Sequence, residues 1–314
     1  MDSVKAWTEA AGWGQWHLEK ASEDASFRRY FRLSHAGRTA IVMDASREKE
    51  ALGPFLDVTA RLRSAGVHAP EVLAEDRDKG YLILEDLGSV HYLDLLNAEN
   101  FRQLYQKAIE TIVRMQRSDA AGLPLYDRAF LRFEMELMER WFLRDYLALE
   151  LSDAAAAMID RTLDAIADVV LEQPQGLFVH RDYHSRNMLL TPEGELGVID
   201  YQDAMSGALT YDLVSLLKDC YIRFERDAIE ALALTFRDLK GLDVDDATFL
   251  RWFDFMGLQR HIKVLGIFAR LWLRDGKSGY LKDLPLTLQY AIEAAERYPQ
   301  TAEIAALLKS VRLP

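Results

Sequence analysis

The apolar pattern of this 314-residue chain changes period near residue 90, and any fold it adopts must serve both periods. Before that point, FRRYFRLSH (27–35) and TAIVMDA (39–45) flank an AGR turn and predict a hairpin. EVLAED (71–76) and YLILED (81–86), with polar RDKG between them, predict a second. Between the hairpins, Leu52, Phe55, Leu56 and Leu62 recur at helical spacing up to Gly66. Pro54 within that run predicts a helix that starts after Gly53 or kinks there. Beyond residue 90 the stretches 101–118, 130–150 and 152–172 are helical in period. One β island interrupts them, made of GLFVH (176–180), NMLL (187–190) and ELGVID (195–200), and helices resume near Leu209. Neither an all-helical fold nor a single sheet satisfies both halves. The expected class is α+β: a small sheet-rich lobe over 1–87 and a larger helical lobe over 88–314, joined around residues 86–90, with no internal repeats.

Composition narrows the partners. Half the residues are hydrophobic and 28% are charged, which excludes a disordered or collagen-like chain. The 38 Lys and Arg against 50 Asp and Glu give a net charge of −12, the wrong sign for coating nucleic acid or an anionic membrane. No long uncharged apolar run predicts a membrane span, and the N-terminus lacks signal-peptide character, so the cytoplasm is the expected setting. The single cysteine, Cys220, allows neither an internal disulfide nor a four-cysteine zinc site, and its apolar neighbours predict a buried structural thiol.

The β island holds the densest set of reactive side chains: His180, Asp182, His184, Asn187, Asp200 and Asp203. The order is VHRDYHSRNMLL, then GVIDYQDA across a predicted hairpin. A carboxylate at Asp182 can accept or orient the proton of an attacking hydroxyl. An Asn carbonyl at Asn187 and a second carboxylate at Asp200 offer the hard oxygens that Mg²⁺ prefers. Two competing uses exist. Asp182 and Asn187 could simply make turn hydrogen bonds, or His180, Asp182 and His184 could ligate the metal of a hydrolase. The latter leaves Asn187 idle and finds only His261 downstream as a further imidazole.

The spacing H-x-D-x-x-x-x-N followed by an I-D-aromatic strand resembles the aminoglycoside phosphotransferase and choline kinase-like superfamily of small-molecule kinases, with a protein-kinase-like fold. HRDYHSRN and IDYQD carry the match. DASFRRYFRL, LILEDLG, IDYQDAMSGALTYDLVSLLKDCYI and QRHIKVLGIFARLWLRDGKSGYL are similar to one branch, the anomeric kinases of N-acetylmuramate and N-acetylglucosamine. The resemblance implies ATP and Mg²⁺ as cofactors, Asp182 as base, and Asn187 and Asp200 as metal ligands. It also implies that the first lobe binds the nucleotide, with Glu85 and Leu87 at the adenine edge. Two departures stand out. No Gly-rich phosphate loop appears, so Arg28 and Arg29 are the expected phosphate contacts. IVMDA has Met43 or Asp44 where the superfamily usually carries a lysine, which leaves open a weakly active nucleotide-binding module.

The acceptor is a separate question. A cationic acceptor, as in aminoglycoside or choline kinases, needs an acidic or aromatic pocket. Residues 251–282 instead carry seven basic and two acidic side chains, a local surplus of five in a chain of net −12. That surplus fits either a solvated helix face or a wall for an anionic group, and the resemblance to the muramate kinase branch tips it toward an anionic sugar, with Arg260, Lys263 and Asp203 as the expected acceptor contacts. The sequence points to no particular protein partner.

Overall fold

Strand alternation decides which side chains of the first sheet meet a cavity and which meet a core. The computed structural model describes residues 1–23 and 28–314. The beginning of the DASFRRYFRL stretch, 24–27, lies outside the described residues. By contacts the chain divides into two units, Met1–Leu95 with Arg186–Asp203, and Leu96–Ser185 with Ala204–Pro314. The division expected at 87/88 follows chain order. The grouping by contacts differs because the hairpin after Asn187 pairs with Val90–His91 and so packs with the first unit.

In the first unit, β1 (His17–Glu23), β2 (Arg29–His35), β3 (Arg38–Asp44), β4 (Val72–Asp76) and β5 (Tyr81–Glu85) form an antiparallel sheet of order β1-β2-β3-β5-β4. Both expected hairpins form. Phe31, Leu33, Ala40, Val42, Tyr81 and Ile83 share one face and bury against Val4 and Trp7 of the helix Asp2–Thr8. The opposite face carries the in-register row Arg32, Ile41 and Leu84. Helix Leu52–Ser64 begins one residue before Gly53, so Pro54 falls in its first turn, where an N–H has no intrahelical partner to lose. A three-stranded sheet of Val90–His91, Met188–Leu190 and Leu196–Val198 completes this unit.

The second unit is mostly helical. Three of its helices start at side-chain caps: Asp127 accepts from Phe130 N at 2.9 Å, Ser152 from Ala155 N at 3.2 Å and Asp245 from Thr248 N at 3.0 Å. Each such cap stabilises by about 1 kcal/mol. The 28-residue helix Asp246–Leu273 is the unit's spine, buried over most of its length. At Gly266 it approaches the helix Arg128–Leu137 so closely that a Cβ would sit 2.4 Å from the backbone carbon of Leu137. Backbone cannot swing aside as a side chain can. Gly266→Ala should therefore lower the melting temperature, through an overpacking cost of about 1–3 kcal/mol. An unchanged melt would show that the two helices do not pack at this distance. Among the described residues no helix is long and apolar enough to cross a membrane. Cys220 is buried, and burial pushes its thiol up to about 11.

Candidate active site

In the second unit, strand Leu177–Val179 pairs with Met205–Gly207 and delivers the chain into the loop 180–185. Two buried carboxylates fasten that loop. Asp212, fully buried at the start of helix Tyr211–Leu217, accepts from the backbone N–H of His180 at 2.8 Å and of Arg181 at 3.0 Å. Asp219 accepts from Ser185 N at 2.9 Å and also from the Ser185 hydroxyl. Arg181 has a φ of +78°, a left-handed conformation costly for a side chain of this size. The Asp212 bond holds it there. Asp182 N donates to His180 Nδ1 at 3.3 Å, so His180 braces the turn.

Asp182 is half-exposed, with Arg260 Nη2 at 3.8 Å from its Oδ1. Burial raises its pKa, but Lys263 and Arg260, with smaller help from His184 and Arg181, overcome that and hold it well below the usual carboxylate range. Beneath the loop lies Glu134, 4% exposed. Its Oε1 pairs with Arg181 Nη2 at 2.6 Å and Lys263 Nζ at 3.1 Å, and its Oε2 accepts from the Tyr126 hydroxyl. Burial raises the Glu134 pKa, and Lys263 and Arg181 together bring it below the ordinary value. The network thus presents one half-exposed carboxylate, its charged form favoured by Lys263 and Arg260, on a loop whose backbone is pinned from below.

In the first unit a cavity of about 440 Å³ opens along the sheet face that bears Arg32, Ile41 and Leu84. Leu189, Ile199 and Tyr201 give it an apolar wall, and Glu85 to Ser89, Asn187, Asp200 and Gln202 give it polar groups. The volume suits a nucleotide-sized ligand. Asn187 Nδ2 donates to Asp200 Oδ2 at 3.2 Å, and Gln202 Nε2 to Asp200 Oδ1 at 2.9 Å. Asp200 has a φ of +64°, a strained backbone conformation at the end of the hairpin. The pair brings a carboxamide and a carboxylate, both hard oxygen donors, to one edge of the cavity, a donor set that fits Mg²⁺. Arg32 lies in the wall and forks onto Asp86 at 2.7 and 3.2 Å.

Several expectations need correction. Arg260 and Lys263, expected at an acceptor's carboxylate, are each 4% exposed and committed within the protein. Arg260 Nη1 donates to Arg181 O at 2.8 Å, and Lys263 Nζ to the Tyr211 hydroxyl at 2.9 Å, besides its Glu134 pairing. Their charge serves the loop. Arg29, expected at phosphate, projects from the opposite face of β2 and pairs with buried Asp44. Arg28 is buried, and neither it nor Arg29 lines the cavity; the strand's cation there is Arg32, two residues from Tyr30 on the same face. Glu85 and Leu87 do line it, although the Glu85 side chain also meets His68 Nε2 at 2.9 Å. Asp203 is exposed on a turn and does not line the cavity. Of the two residues in the neighbourhood of the usual lysine, Met43 is buried and in register with Tyr30 and Leu82, and Asp44 is buried and paired with Arg29. Among the described residues no three His, Cys, Asp or Glu side chains are grouped to hold a metal ion, as the hydrolase alternative requires.

Comparison with known proteins places this geometry. The chain is 42% identical over 311 residues to the N-acetylmuramate/N-acetylglucosamine kinase of Pseudomonas aeruginosa, covering 96% of this chain and 91% of that one. It is 38% identical to the protein of the same name from Neisseria meningitidis, covering 93% and 89%. Among solved structures it is similar to ADP-bound aminoglycoside phosphotransferase APH(2'')-Ib, with a TM-score of 0.65 at 16% identity over 94% of this chain and 99% of that one. A choline/ethanolamine kinase family protein from Mesorhizobium loti gives 0.66 at 14% identity over 99% of both chains. These likenesses identify the fold as protein-kinase-like. Residues 17–260 match the phosphotransferase enzyme family, and the chain belongs to it: it is a small-molecule phosphotransferase.

Proposed function

We propose that the chain transfers the γ-phosphoryl group of ATP to the anomeric hydroxyl of N-acetylmuramate and N-acetylglucosamine, in the cytoplasm. The observation that carries this reading is identity of about 40% along nearly the whole length with kinases of that name. Loop and cavity support it. The apolar wall and the backbone after β5 suit an adenine, with Glu85 and Leu87 at its edge and Arg32 the nearest strand cation. Asn187 and Asp200 would hold Mg²⁺, which when bound neutralises charge on the phosphate oxygens. Asp182 would orient the acceptor hydroxyl and take its proton as the new bond forms. A carboxylate held this far below neutrality is a weak base, so positioning is its main contribution. An anomeric hydroxyl is more acidic than an ordinary alcohol and tolerates such a base.

An ADP-release assay against the two amino sugars, aminoglycosides and choline tests the proposal. Both amino sugars should turn over fastest, and the product should lose its reducing end. Phosphate on the 6-hydroxyl, or faster turnover of an aminoglycoside or choline, would overturn the acceptor while leaving the phosphotransferase intact.

A further inference from the structure

The basic surplus that suggested an anionic acceptor resolves, in the structure, into a stripe along one face of the helix Asp246–Leu273. Arg260, Lys263 and Arg270 are spaced by three and seven residues, and Arg274 follows four further on at the helix end. Three of these four cations have an anion. Arg260 lies by Asp182, Lys263 pairs with Glu134, and Arg274 forks onto Asp275 at 2.7 and 2.9 Å. Elsewhere in the surplus, Arg251 pairs with Glu172. Arg270 is different. It is half-buried, its Nε is shut off from solvent without an acceptor, and among the described residues no carboxylate pairs with it. Burial first and the Arg274 charge second lower its pKa, as expected of a cation that lacks a counter-ion. Asp275 and, less strongly, Glu134 act on it electrostatically, but Asp275 is forked by Arg274 and the Glu134 oxygens are already taken by Arg181, Lys263 and Tyr126.

We infer that Arg270 is the contact for a carboxylate carried by the acceptor, and so sets the preference between acidic and neutral amino sugars. The inference rests on the acceptor class proposed above. Arg270 stands two turns, or about 10 Å, along the axis from Lys263. Its side chain leans back toward the helix N-terminus, that is, toward Lys263 and the Asp182 end of the stripe. N-acetylmuramate differs from N-acetylglucosamine by a lactyl ether on the 3-oxygen, whose carboxylate lies one sugar-ring width from the anomeric hydroxyl. With that hydroxyl at Asp182, a sugar laid along the stripe brings its carboxylate to Arg270, the cation of the stripe that has no ion-pair partner among the described residues. A guanidinium fork matches a carboxylate in both shape and charge.

The test compares full-length wild type, Arg270→Ala and Arg270→Lys in steady-state kinetics on the two sugars. In R270A the ratio of kcat/KM for N-acetylmuramate over N-acetylglucosamine should fall by about ten- to hundred-fold, carried by KM for the acidic sugar. R270K should lose less, since it keeps the charge and gives up the fork. A ratio unchanged in R270A, whether both sugars suffer alike or neither does, would overturn the assignment. Turnover of neither sugar by the wild type would instead overturn the acceptor class on which it rests. Turnover of N-acetylglucosamine by the variants shows in the same experiment that they are folded.

Discussion

Asp182→Ala should lower kcat by about 10²–10⁴, the usual contribution of a positioned general base, while ADP affinity measured by calorimetry stays close to wild type. The separation is expected because the residues fall in different units. Asp182 sits on the loop 180–185 of the helical unit, whereas every residue lining the 440 Å³ cavity belongs to the first unit. Asp200→Ala should behave in the opposite way. It removes the carboxylate to which Asn187 and Gln202 donate, so Mg-nucleotide affinity should fall together with turnover. The pH dependence distinguishes the roles further. Because Lys263 and Arg260 outweigh burial and hold Asp182 well below the carboxylate range, this carboxylate is already ionised throughout the neutral region. Its titration should therefore put no acid limb near neutrality on kcat, and any limb there belongs to another group. Full activity in the Asp182 variant, or an ADP affinity that collapses with it, would remove Asp182 from the role of base.

Much of this was legible in the sequence because it is local. Alternation in RYFRLSH and RTAIVMD prescribes two strands and their faces, and the structure builds both. Asp182, Asn187 and Asp200 lie within one short stretch, so their spacing alone brings out a loop and a hairpin. The missed features depend on distant contacts. Strand β1 reads HLEKASE, too polar to be recognised, and is held at the sheet edge by its pairing to β2. The partner of Leu177–Val179 is Met205–Gly207, whose MSG has no strand character of its own. Arg29 and Arg32 look alike in sequence, yet parity on β2 gives one to Asp44 and the other to the cavity wall. Glu134, Asp212 and Asp219 are the most telling omissions. FEMELMERWF reads as surface charges with core aromatics, and YDLVSLLKDCYI as an apolar face around Cys220. For Asp212 the available signal was an acidic residue embedded in an apolar helix, which persists only where a buried partner awaits it. Here the partners are backbone N–H groups of the loop 180–185 and the cations Arg181 and Lys263.

Glu134→Gln should be the most destabilising single change of charge in this network. The substitution keeps the shape of the side chain and removes its charge, leaving Arg181 and Lys263 near a neutral amide. Lys263 is 4% exposed and cannot recover its hydration by rotating into solvent. Breaking one side of a buried ion pair in this way costs about 3–5 kcal/mol, which denaturant unfolding would register directly. The effect should shrink on acidification. The folded pKa of Glu134 lies below its ordinary value, so its contribution is present above the unfolded pKa and fades as pH falls through the lowered one. Wild type and E134Q should therefore converge in stability in acid. Function should fall as well, because Arg181 carries the strained φ and its carbonyl accepts from Arg260, the cation beside Asp182. Loosening Arg181 disturbs the position of Asp182, so kcat should drop while ADP affinity holds if Asp182 acts as proposed. The double variant Glu134→Gln with Lys263→Met removes a charge of each sign and should regain part of the stability. Should E134Q match wild type in stability at neutral pH, the buried carboxylate is not what holds these two cations in place.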